Sequence, residues 1–501
     1  MYYLNQTLKK YTNPNWNLSV ISITILLSVL LSFFVLQDPV KTSSILSEIY
    51  TNLSTRFESV YLYGSFFLFL FLIFLAISNY GSITVYIKNK KEYSITSWSS
   101  MLFAAGIGAT LLYWSTIEWI EYYNILSLDN NYDRSESLIY SRTYPVFHWG
   151  PTAWSIYCLP VVAFALALSN KSNSSLTFSG ILNINNKFIK LLLDVIFIGS
   201  IICAAGVGLG LSFPLISSVI STIFNIERTF TLDITTIVIC SSIFATSAYF
   251  GIQKGIKRLS NLNILLVILF LLLVFFLGPT KYIFINSIDT LLFYFGEYLN
   301  LSLTTGTNIS IDWTVFYWAW WFALAPMVGT FLVNISNGKT IREIILGTIF
   351  IGSMGCTFSM LILSNVSIFL FESDIINAPN IIANKLITRE ELVVLTITQL
   401  NYGKYLLIGF VIILVIFLCT TYDSASYVLA SASMKESSME SSKSLRLLFA
   451  VLLVIQPTLL MYLNGVDSFK WIMVICSIPL LFIYILLIYS VLKNVHSIKK
   501  S

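Results

Sequence analysis

Charged residues are scarce in this chain: Lys, Arg, Asp and Glu make up 11% of its 501 residues, whereas 56% are hydrophobic. A soluble domain carries about 25% charged residues, so the composition excludes an ordinary water-soluble protein. Uncharged runs of about 20 residues recur along the sequence, and this is the length that crosses a bilayer as a helix. Transmembrane strands alternate in polarity, and runs such as VIILVIFLCT do not. The sequence therefore predicts a polytopic, all-α membrane protein.

Residues that bind metals or form disulfides are also few. The chain has 2 histidines and 6 cysteines, and no two cysteines form a C-x-x-C motif. All the cysteines lie in apolar segments, where a free thiol acts as a small buried hydrophobe. We therefore expect no metal cluster. A membrane enzyme needs several intramembrane acids or histidines, and Asp194 and Asp423 are too few. A channel needs a ring of repeated pore residues, and none is evident in the sequence.

Twelve apolar spans are predicted and are numbered in chain order. Their centres lie near residues 28, 70, 108, 157, 204, 243, 269, 323, 356, 415, 454 and 481. Lys and Arg collect in alternate loops, as at Lys88, Lys90 and Lys91 before span 3, whereas loops of the other parity are acidic, as at Asp129 and Asp133. Because basic loops stay on the cytoplasmic side, both termini are expected in the cytoplasm, with the protein in the plasma (inner) membrane.

Tryptophan is concentrated in DWTVFYWAWWFALAP, residues 312 to 326, at the start of span 8. In a helix Trp313, Tyr317 and Trp320 share one face, and Trp321 flanks it. At about 1.5 Å of rise per residue, Trp320 and Trp321 lie roughly 12 Å below the outer boundary. That depth is too great for the aromatic belt of a membrane interface. Core packing is the alternative, although helix contacts in membranes favour small residues.

A second aromatic group lies in the outer half of span 4, in FHWGPTAWSIY. Helical spacing places Trp149, Trp154 and Tyr157 within one broad arc. Two aromatic groups at similar depth, on helices able to face each other, form a box. Such a box binds a quaternary ammonium group by cation–π attraction and needs no acidic partner. The paired clusters therefore favour a binding site for a soft organic cation.

Span 3 contains Gly106 and Gly108 near its middle, within MLFAAGIG. Glycine there lets a helix break or lets another backbone approach closely. Broken helices near the midplane bind substrates and ions in transporters, because the freed carbonyl groups coordinate cations. Close helix packing on small residues is the alternative.

Span 10 ends in FLCTTYDSASYVLA, where Thr420 and Thr421 are adjacent hydroxyls and Asp423 is an acid within an apolar segment. An intramembrane acid predicts a functional site. The alternative for Asp423 is a pair with a base on the cytoplasmic side, such as Arg258. The residues leave both interpretations open.

Further motifs complete a resemblance to a known family. The motifs are MLFAAGIG, FHWGPTAWSIY, GIQKGIKRLSNLN, DWTVFYWAWW, ISNGKTIREIILG and TTYDSASYVLA, in this order from about span 3 to span 10. In them the chain resembles the betaine/carnitine/choline transporters, called BCCT. The resemblance implies a LeuT-like inverted repeat of five plus five helices, spans 3–7 and 8–12, preceded by two N-terminal helices. It also implies a homotrimer.

The expected organisation follows from that resemblance. Residues 1–95 hold the N-terminal tail and spans 1 and 2, residues 96–280 the first repeat, and residues 312–492 the second. Residues 281–311 are expected to hold a periplasmic interfacial helix, because FINSIDTLLFYFGEYLN looks amphipathic. Residues 493–501 form a short cytoplasmic tail. Family members that sense osmotic stress resemble one another in their long charged tails, so we expect weak intrinsic osmosensing here.

The resemblance also implies where the substrate binds. Its ammonium group is expected among the aromatic side chains of spans 4 and 8, beside the glycine-rich stretch of span 3. LYWSTIEW looks like the carnitine-exchanger branch, in which the Tyr at position 113 contacts substrate. Leu324 stands where the family often has another Trp, and Thr110 stands where sodium-coupled members have Gly and proton-coupled members have Asp. The expected substrate-binding residues are Trp149, Trp154, Tyr157, Trp320, Trp321, Tyr113, Gly106, Ile107 and Gly108.

Coupling is inferred from the same resemblance. Sodium-coupled members hold one ion with backbone carbonyls of span 3 and with carbonyl and hydroxyl oxygens of span 10. The matching residues are Ala104, Ile107, Phe417, Thr420 and Thr421. Sodium-independent exchangers place an Arg where this chain has Asn263, so no built-in cation replaces sodium. Span 5 offers Cys203 and Ala205 where sodium members offer hydroxyls for a second ion. We therefore expect one sodium site.

The sequence thus predicts a secondary active transporter, not an enzyme. It is expected to import a small quaternary-ammonium or sulfonium zwitterion, such as glycine betaine, carnitine or choline, together with sodium. The alternative is a sodium-independent exchanger of carnitine/betaine type. Apart from sodium as the coupling ion, no cofactor is expected. The expected partners are the osmolyte substrate, the lipid bilayer and further copies of the chain, and no nucleic acid.

Overall fold

The computed structural model describes residues 15–86, 92–106, 108–170, 176–250, 253–435, 441–461 and 466–500. Within these ranges, 10 helical segments are long and apolar enough to cross a membrane. The prediction of an all-α membrane protein is therefore confirmed. The count of twelve spans stays a prediction, although each predicted centre falls in a helix or, for span 3, at a break between two helices.

The helices keep the numbers of the predicted spans. The first half contains span 1 (Leu18–Gln37), span 2 (Pro39–Ile77), span 3 (Ile95–Gly106 and Thr110–Leu126), span 4 (Pro151–Asn170), span 5 (Lys187–Phe224), span 6 (Phe230–Phe250) and span 7 (Gln253–Leu277). The second half contains span 8 (Val315–Ile335), span 9 (Ile341–Leu346 and Gly352–Glu372), span 10 (Gly403–Ala432), span 11 (Lys443–Met461) and span 12 (Val466–Lys500). Connecting helices are Asn79–Ser82, Arg134–His148, Phe178–Ile181, Thr280–Leu303, Ala378–Ala383 and Arg389–Thr398.

Side chains at the helix starts satisfy backbone groups that a helix leaves free. In the capping box before Arg134–His148, Glu136 N donates to Asp133 Oδ1 at 2.8 Å, and Asp133 N donates to Glu136 Oε2 at 2.9 Å. Thr388 and Glu391 form the same arrangement before Arg389–Thr398. Such boxes fix where a helix begins, and here they anchor two of the helices that connect the spans.

Helices are interrupted at segments that the sequence singled out. Span 3 is not helical at Gly108 and Ala109, and Ile107 lies outside the described residues. The chain bends at Trp149, and Pro151, which lacks a backbone N–H, opens span 4. Span 8 is entered through a π-helix, Ser310–Thr314. Short π-helical segments are rare and are frequent at functional sites.

In an inverted repeat, spans 3 to 7 correspond in order to spans 8 to 12, so each helix contact should recur between the corresponding helices. The helix packing follows this rule. Span 3 packs against spans 9 and 7, and its counterpart, span 8, packs against spans 4 and 12. Span 5 packs against spans 10 and 11, its counterpart span 10 packs against spans 5 and 6, and spans 6 and 11 pack against each other. With the predicted five crossings in each half, the second half is expected to enter from the opposite side. These pairings are those of the expected inverted repeat.

A helix, Thr280–Leu303, occupies the stretch that looked amphipathic in the sequence. Phe284, Leu292, Phe295 and Leu299 are more than half exposed along one side of it. An exposed apolar surface of this kind indicates contact with lipid or with another protein surface.

The packing of span 5 on span 12 can be tested with two cysteines. Cys203 Sγ and Cys476 Sγ lie 3.1 Å apart as free thiols. A disulfide is about 2.05 Å long, so we expect copper–phenanthroline to join the pair in the purified protein. Mass spectrometry of unreduced peptides detects the cross-link. Cys158, buried in span 4, is the internal control: if it pairs with Cys203 as often as Cys476 does, the packing is wrong.

The contact between spans 4 and 9 is close enough to require glycine. An Ala side chain at Gly352 would overlap the indole of Trp154. Overpacking costs about 1–3 kcal/mol, so we expect Gly352→Ala to lower the melting temperature of the detergent-solubilised protein. Gly199→Ala in span 5 is the matched control, because the added carbon there meets no atom within 4 Å. Equal melting temperatures for the two variants would contradict this contact.

Candidate functional site

Aromatic side chains from the start of span 4 and from span 8 meet around a small cavity. Trp149, Tyr157, Trp320 and Trp321 line it, and all of them are buried. Between ring centroids, Trp149 lies 6.2 Å from Trp320 and 5.6 Å from Trp321, and Tyr157 lies 4.3 Å from Trp321. The structure therefore brings the two predicted aromatic groups together.

Small residues and hydroxyl groups complete the cavity. The other lining residues are Gly108, Thr110, Ala204, Ala205, Gly208, Leu324, Thr421 and Tyr422. The cavity measures about 30 Å³, which is room for one or two water molecules. Among the described residues, none that lines it carries a formal charge. A charged ligand in this position would meet ring faces, hydroxyl groups and main-chain dipoles only.

Small residues of span 5 contact the side chains of spans 8 and 10 that line the cavity. Trp320 Nε1 donates to the carbonyl oxygen of Ala204 at 3.3 Å, which fixes the plane of this indole. One turn further along, a side chain at Gly208 would overlap the hydroxyl of Tyr422. The small residues of CAAGVGLG therefore determine how closely the aromatic side chains approach.

Two further tryptophans lie outside the cavity lining. Trp154, a predicted substrate contact, packs behind the cavity at 5.6 Å from Trp321 and 5.7 Å from Tyr157. Trp318 does not line the cavity and packs at 5.3 Å from Phe147 and 5.8 Å from His148. Trp154 therefore supports the cavity wall, and Trp318 belongs to another interface.

The predicted helical face of span 8 is present in the structure. Tyr317 lies 6.4 Å from Trp313 and 6.5 Å from Trp320 between ring centroids. Trp313 does not act as an interface anchor, because the buried ammonium group of Lys470 in span 12 lies 4.2 Å from its ring centroid. The aromatic face thus continues from the cavity to an internal cation–π contact.

Tyr113 does not reach the cavity. Its hydroxyl donates to Glu390 Oε1 at 3.3 Å, and its ring stacks edge-on against Trp114. The residue is completely buried. The structure therefore places it among the loop helices, away from the four aromatic side chains that line the cavity.

A buried carboxylate lies directly behind the aromatic wall. Glu118 Oε2 accepts a hydrogen bond from Trp149 Nε1 at 2.9 Å, and Glu118 Oε1 accepts one from the hydroxyl of Tyr122 at 2.6 Å. His148 Nδ1 lies 3.2 Å from Glu118 Oε1, and its Nε2 lies 2.9 Å from Thr314 Oγ1. This network joins span 3, the bend before span 4 and the π-helix before span 8.

The predicted ion ligands of span 10 differ from one another. Thr421 Oγ1 is buried, has no hydrogen-bond partner among the described residues, and lies 3.8 Å from the position that a Cβ of Gly108 would take. Thr420 Oγ1 instead donates to the carbonyl oxygen of Phe417 at 3.1 Å. Ala104 lies in the helix Ile95–Gly106, and Ile107 lies outside the described residues. Thr421 is therefore the ligand candidate that faces the break in span 3.

Asn263 of span 7 has unusual surroundings for an amide. It is completely buried, and within the part of the chain that the structure describes neither its Oδ1 nor its Nδ2 has a hydrogen-bond partner. Buried polar atoms are normally paired, so this amide is chemically suited to a ligand or a water molecule.

Asp423 lies near a base of the predicted cytoplasmic side, as one of the two interpretations suggested, but this base is Arg446 and not Arg258. Ser247 Oγ donates to Asp423 Oδ2 at 3.2 Å, and Arg446 interacts with the carboxylate electrostatically. Arg258 is exposed and forms no ion pair with Asp423 among the described residues. Asp423 therefore joins spans 6 and 10.

Sequence reasoning missed several residues of the site. For Glu118 and Lys470 a signal existed, since each is a charged residue within an apolar span. For Ala204, Gly208 and Tyr422 none existed, because only tertiary packing brings them to the cavity.

Known proteins are similar to this chain over most of its length. Residues 19–500 match BCCT, the betaine/carnitine/choline family transporter. A carnitine transporter of Acinetobacter baumannii is 28% identical, over 98% of this chain and 90% of its own. The glycine betaine transporter OpuD of Bacillus subtilis is 27% identical, over 85% of this chain and 84% of its own. A solved structure of a Na⁺-coupled sialic acid symporter in a substrate-bound outward-open state has 11% identity and a TM-score of 0.49, over 85% of both chains.

The family match covers nearly the whole chain, from span 1 to the end of span 12, and includes all the helices that surround the cavity. The chain belongs to the betaine/carnitine/choline (BCCT) family of transporters.

Proposed function

We propose that the protein imports a small zwitterion with a quaternary ammonium or sulfonium group, of the glycine betaine, carnitine and choline class. The observation that carries this proposal is the cavity walled by Trp149, Tyr157, Trp320 and Trp321. Neighbouring ring centroids are 4.3 to 6.2 Å apart, so a cation there would lie within about 6 Å of several rings. The names of the carnitine and glycine betaine transporters that resemble this chain support the same class.

The other end of the cavity suits the anionic end of such a zwitterion. The second helix of span 3 begins at Thr110, and no side chain caps it. The first N–H groups of a helix have no partner within it and attract anions. The hydroxyl groups of Thr110, Thr421 and Tyr422 line the same cavity and can donate hydrogen bonds to a carboxylate.

Binding is expected to move side chains. A cavity of about 30 Å³ is smaller than a trimethylammonium group, so the rings must separate when the substrate enters. Trp149 and Tyr157 belong to the first repeat, and Trp320 and Trp321 belong to the second. A ligand between them contacts both repeats, as alternating access requires.

We propose sodium as the coupling ion, held at one site between spans 3 and 10. The buried Thr421 hydroxyl without a partner, beside Gly108, supports it. An ion held there would join a helix of each repeat and so shift the balance between outward- and inward-facing states. Sodium-independent exchangers have an Arg at the position of Asn263. This chain has a neutral side chain there, so no built-in cation takes the place of sodium. A sodium-independent exchanger is the alternative that the uptake experiment below decides.

We also propose a homotrimer in the plasma membrane with both termini in the cytoplasm. The exposed apolar side of Thr280–Leu303 offers a surface for subunit contact. The alternation of basic and acidic loops supports the orientation.

The aromatic wall is tested by leucine substitutions. We expect Trp320→Leu or Trp321→Leu to weaken binding by about 2 kcal/mol or more, because each removes a ring that a desolvated cation would contact. Trp318→Leu is the matched control, since Trp318 is equally buried in span 8 but does not line the cavity. The measurement is the Kd of radiolabelled glycine betaine, carnitine and choline on purified protein. Equal losses from all these variants would show that the cluster only packs the core.

Sodium coupling is tested by uptake into proteoliposomes. We expect uptake in a sodium gradient and little in potassium or N-methylglucamine. Thr421→Ala removes a free hydroxyl and is expected to raise the sodium concentration for half-maximal uptake, whereas Thr420→Ala, whose hydroxyl is already bonded within span 10, changes it less.

Asn263→Arg complements this test, because it places a fixed cation in the buried amide's position and is expected to remove the sodium requirement. Wild-type uptake that is equal in all three salts contradicts sodium coupling and supports the exchanger.

A further inference from the structure

Glu118 is a buried carboxylate bonded to a residue that lines the cavity, and the binding chemistry proposed above gives it no role. Its side chain is completely buried in span 3. Its Oε2 is 2.9 Å from Trp149 Nε1, so one hydrogen bond separates this carboxylate from a ring that lines the cavity. No Lys or Arg forms an ion pair with it among the described residues.

The hydrogen bonds around Glu118 can all be formed with its side chain as a carboxylate. The indole N–H of Trp149 is only a donor, and the hydroxyl of Tyr122 lies 2.6 Å from Glu118 Oε1. His148 Nδ1 lies 3.2 Å from that same oxygen. These contacts need no proton on Glu118.

His148 can complete the network as a neutral imidazole. Its Nδ1 lies 2.8 Å from the hydroxyl oxygen of Tyr122 and 3.2 Å from Glu118 Oε1, so with a proton on Nδ1 it can donate to this pair, and its Nε2 can accept from the hydroxyl of Thr314 at 2.9 Å. Its ring stacks on Tyr317 at 4.7 Å, with an angle of 15° between the planes. A second proton would place an additional charge in a fully buried position, which is costly. In this arrangement the pair of Glu118 and His148 carries one net negative charge.

We propose that Glu118 is the counter-charge of the aromatic cavity and that it acts through Trp149 without touching the ligand. A hydrogen bond from an indole N–H to a carboxylate increases the electron density of the ring, and cation–π attraction depends on that density. The carboxylate also attracts a cation in the cavity directly, across a short distance of low dielectric. The ligand class would be a permanent cation without a bonding proton, and Glu118 would select it over a neutral group of equal shape.

This inference rests on the proposed function, because it presumes that a cation binds between the rings. It differs from a purely structural role for Glu118 in one measurable respect. A structural role affects all ligands of the same shape equally, whereas a counter-charge affects only the charged one.

The experiment compares charged ligands with their neutral-headed carbon analogues. Glycine betaine is paired with 3,3-dimethylbutanoate, and choline with 3,3-dimethylbutan-1-ol, since each analogue replaces the ammonium nitrogen by carbon. Affinities for purified full-length protein are measured by displacement of the radiolabelled ammonium compound. The quantity of interest is the ratio of the affinities within a pair.

We expect Glu118→Gln to reduce this ratio by about tenfold or more, with little change in affinity for the neutral analogue. Gln removes the charge and keeps an oxygen that accepts from Trp149 Nε1, while its NH2 group takes the place of Oε1 and can donate to the hydroxyl oxygen of Tyr122. Glu58→Gln is the matched control. Glu58 is also a buried carboxylate within a span. It accepts hydrogen bonds from Gly306 N at 2.8 Å and from the hydroxyl of Ser310, and neither it nor these partners line the cavity. Its variant is expected to keep the wild-type ratio.

The role of Trp149 is tested by Trp149→Phe, which keeps a ring and removes the N–H. In this background the effect of Glu118→Gln on the ratio is expected to shrink, because the bond that couples the two is absent. An undiminished effect contradicts action through Trp149. If Glu118→Gln does not fold, Trp149→Phe is measured alone. An unchanged ratio of affinities within a ligand pair in that variant overturns the inference.

The two levels of proposal fail in different ways. If the wild type shows no preference for the ammonium compound in either pair, the proposed function is wrong. If the wild type prefers the ammonium compound and Glu118→Gln keeps that preference, the proposed function stands and the counter-charge is wrong.

Discussion

A quaternary ammonium group has no proton to give up and keeps its positive charge. A membrane protein that binds it must therefore replace the surrounding water molecules with groups that attract a cation without accepting a proton. Ring faces do this without a bonded partner, and the cavity of this transporter is walled by Trp149, Tyr157, Trp320 and Trp321. Rings of this size fit only if neighbouring helices carry small residues. Ala204 and Gly208 of span 5 meet that requirement, so the composition of span 5 follows from the aromatic residues of spans 4 and 8.

The sequence predicted which aromatic residues come together better than it predicted which of them line the cavity. The spacing of Trp149, Tyr157, Trp320 and Trp321 indicated shared helix faces, because periodicity depends only on helix geometry, and the structure brings all of them to one cavity. Trp154 shares the arc of Trp149, yet it packs over Gly352. Periodicity identifies a face but not the helix opposite to it, and that neighbour decides whether a ring lines a cavity or supports its wall.

The polar residues were harder to predict for a different reason. A buried carboxylate such as Glu118 is stable only through its partners, and these come from span 3, the bend before span 4 and, through His148, the π-helix before span 8. Sequence spacing shows at most the i, i+4 relation of Glu118 to Tyr122. The tertiary partners become visible only when the helices pack. The break in span 3, by contrast, was readable from Gly106 and Gly108, since backbone permissiveness is a local property.

The two halves of the fold offer equivalent interfaces that the side chains use differently. Exchange of the halves maps the contact of spans 4 and 8 onto that of spans 9 and 3. The first encloses the aromatic cavity. The second is closed by hydroxyl groups: Ser115 and Ser359 share a hydrogen bond of 2.9 Å, and Ser364 donates to the carbonyl oxygen of Ser115 at 2.7 Å. Hydrogen bonds of this kind hold helices together within a membrane, whereas ring faces left without partners can receive a cation. The repeat therefore supplies two similar surfaces, and residue chemistry, not the fold, decides which of them binds a ligand.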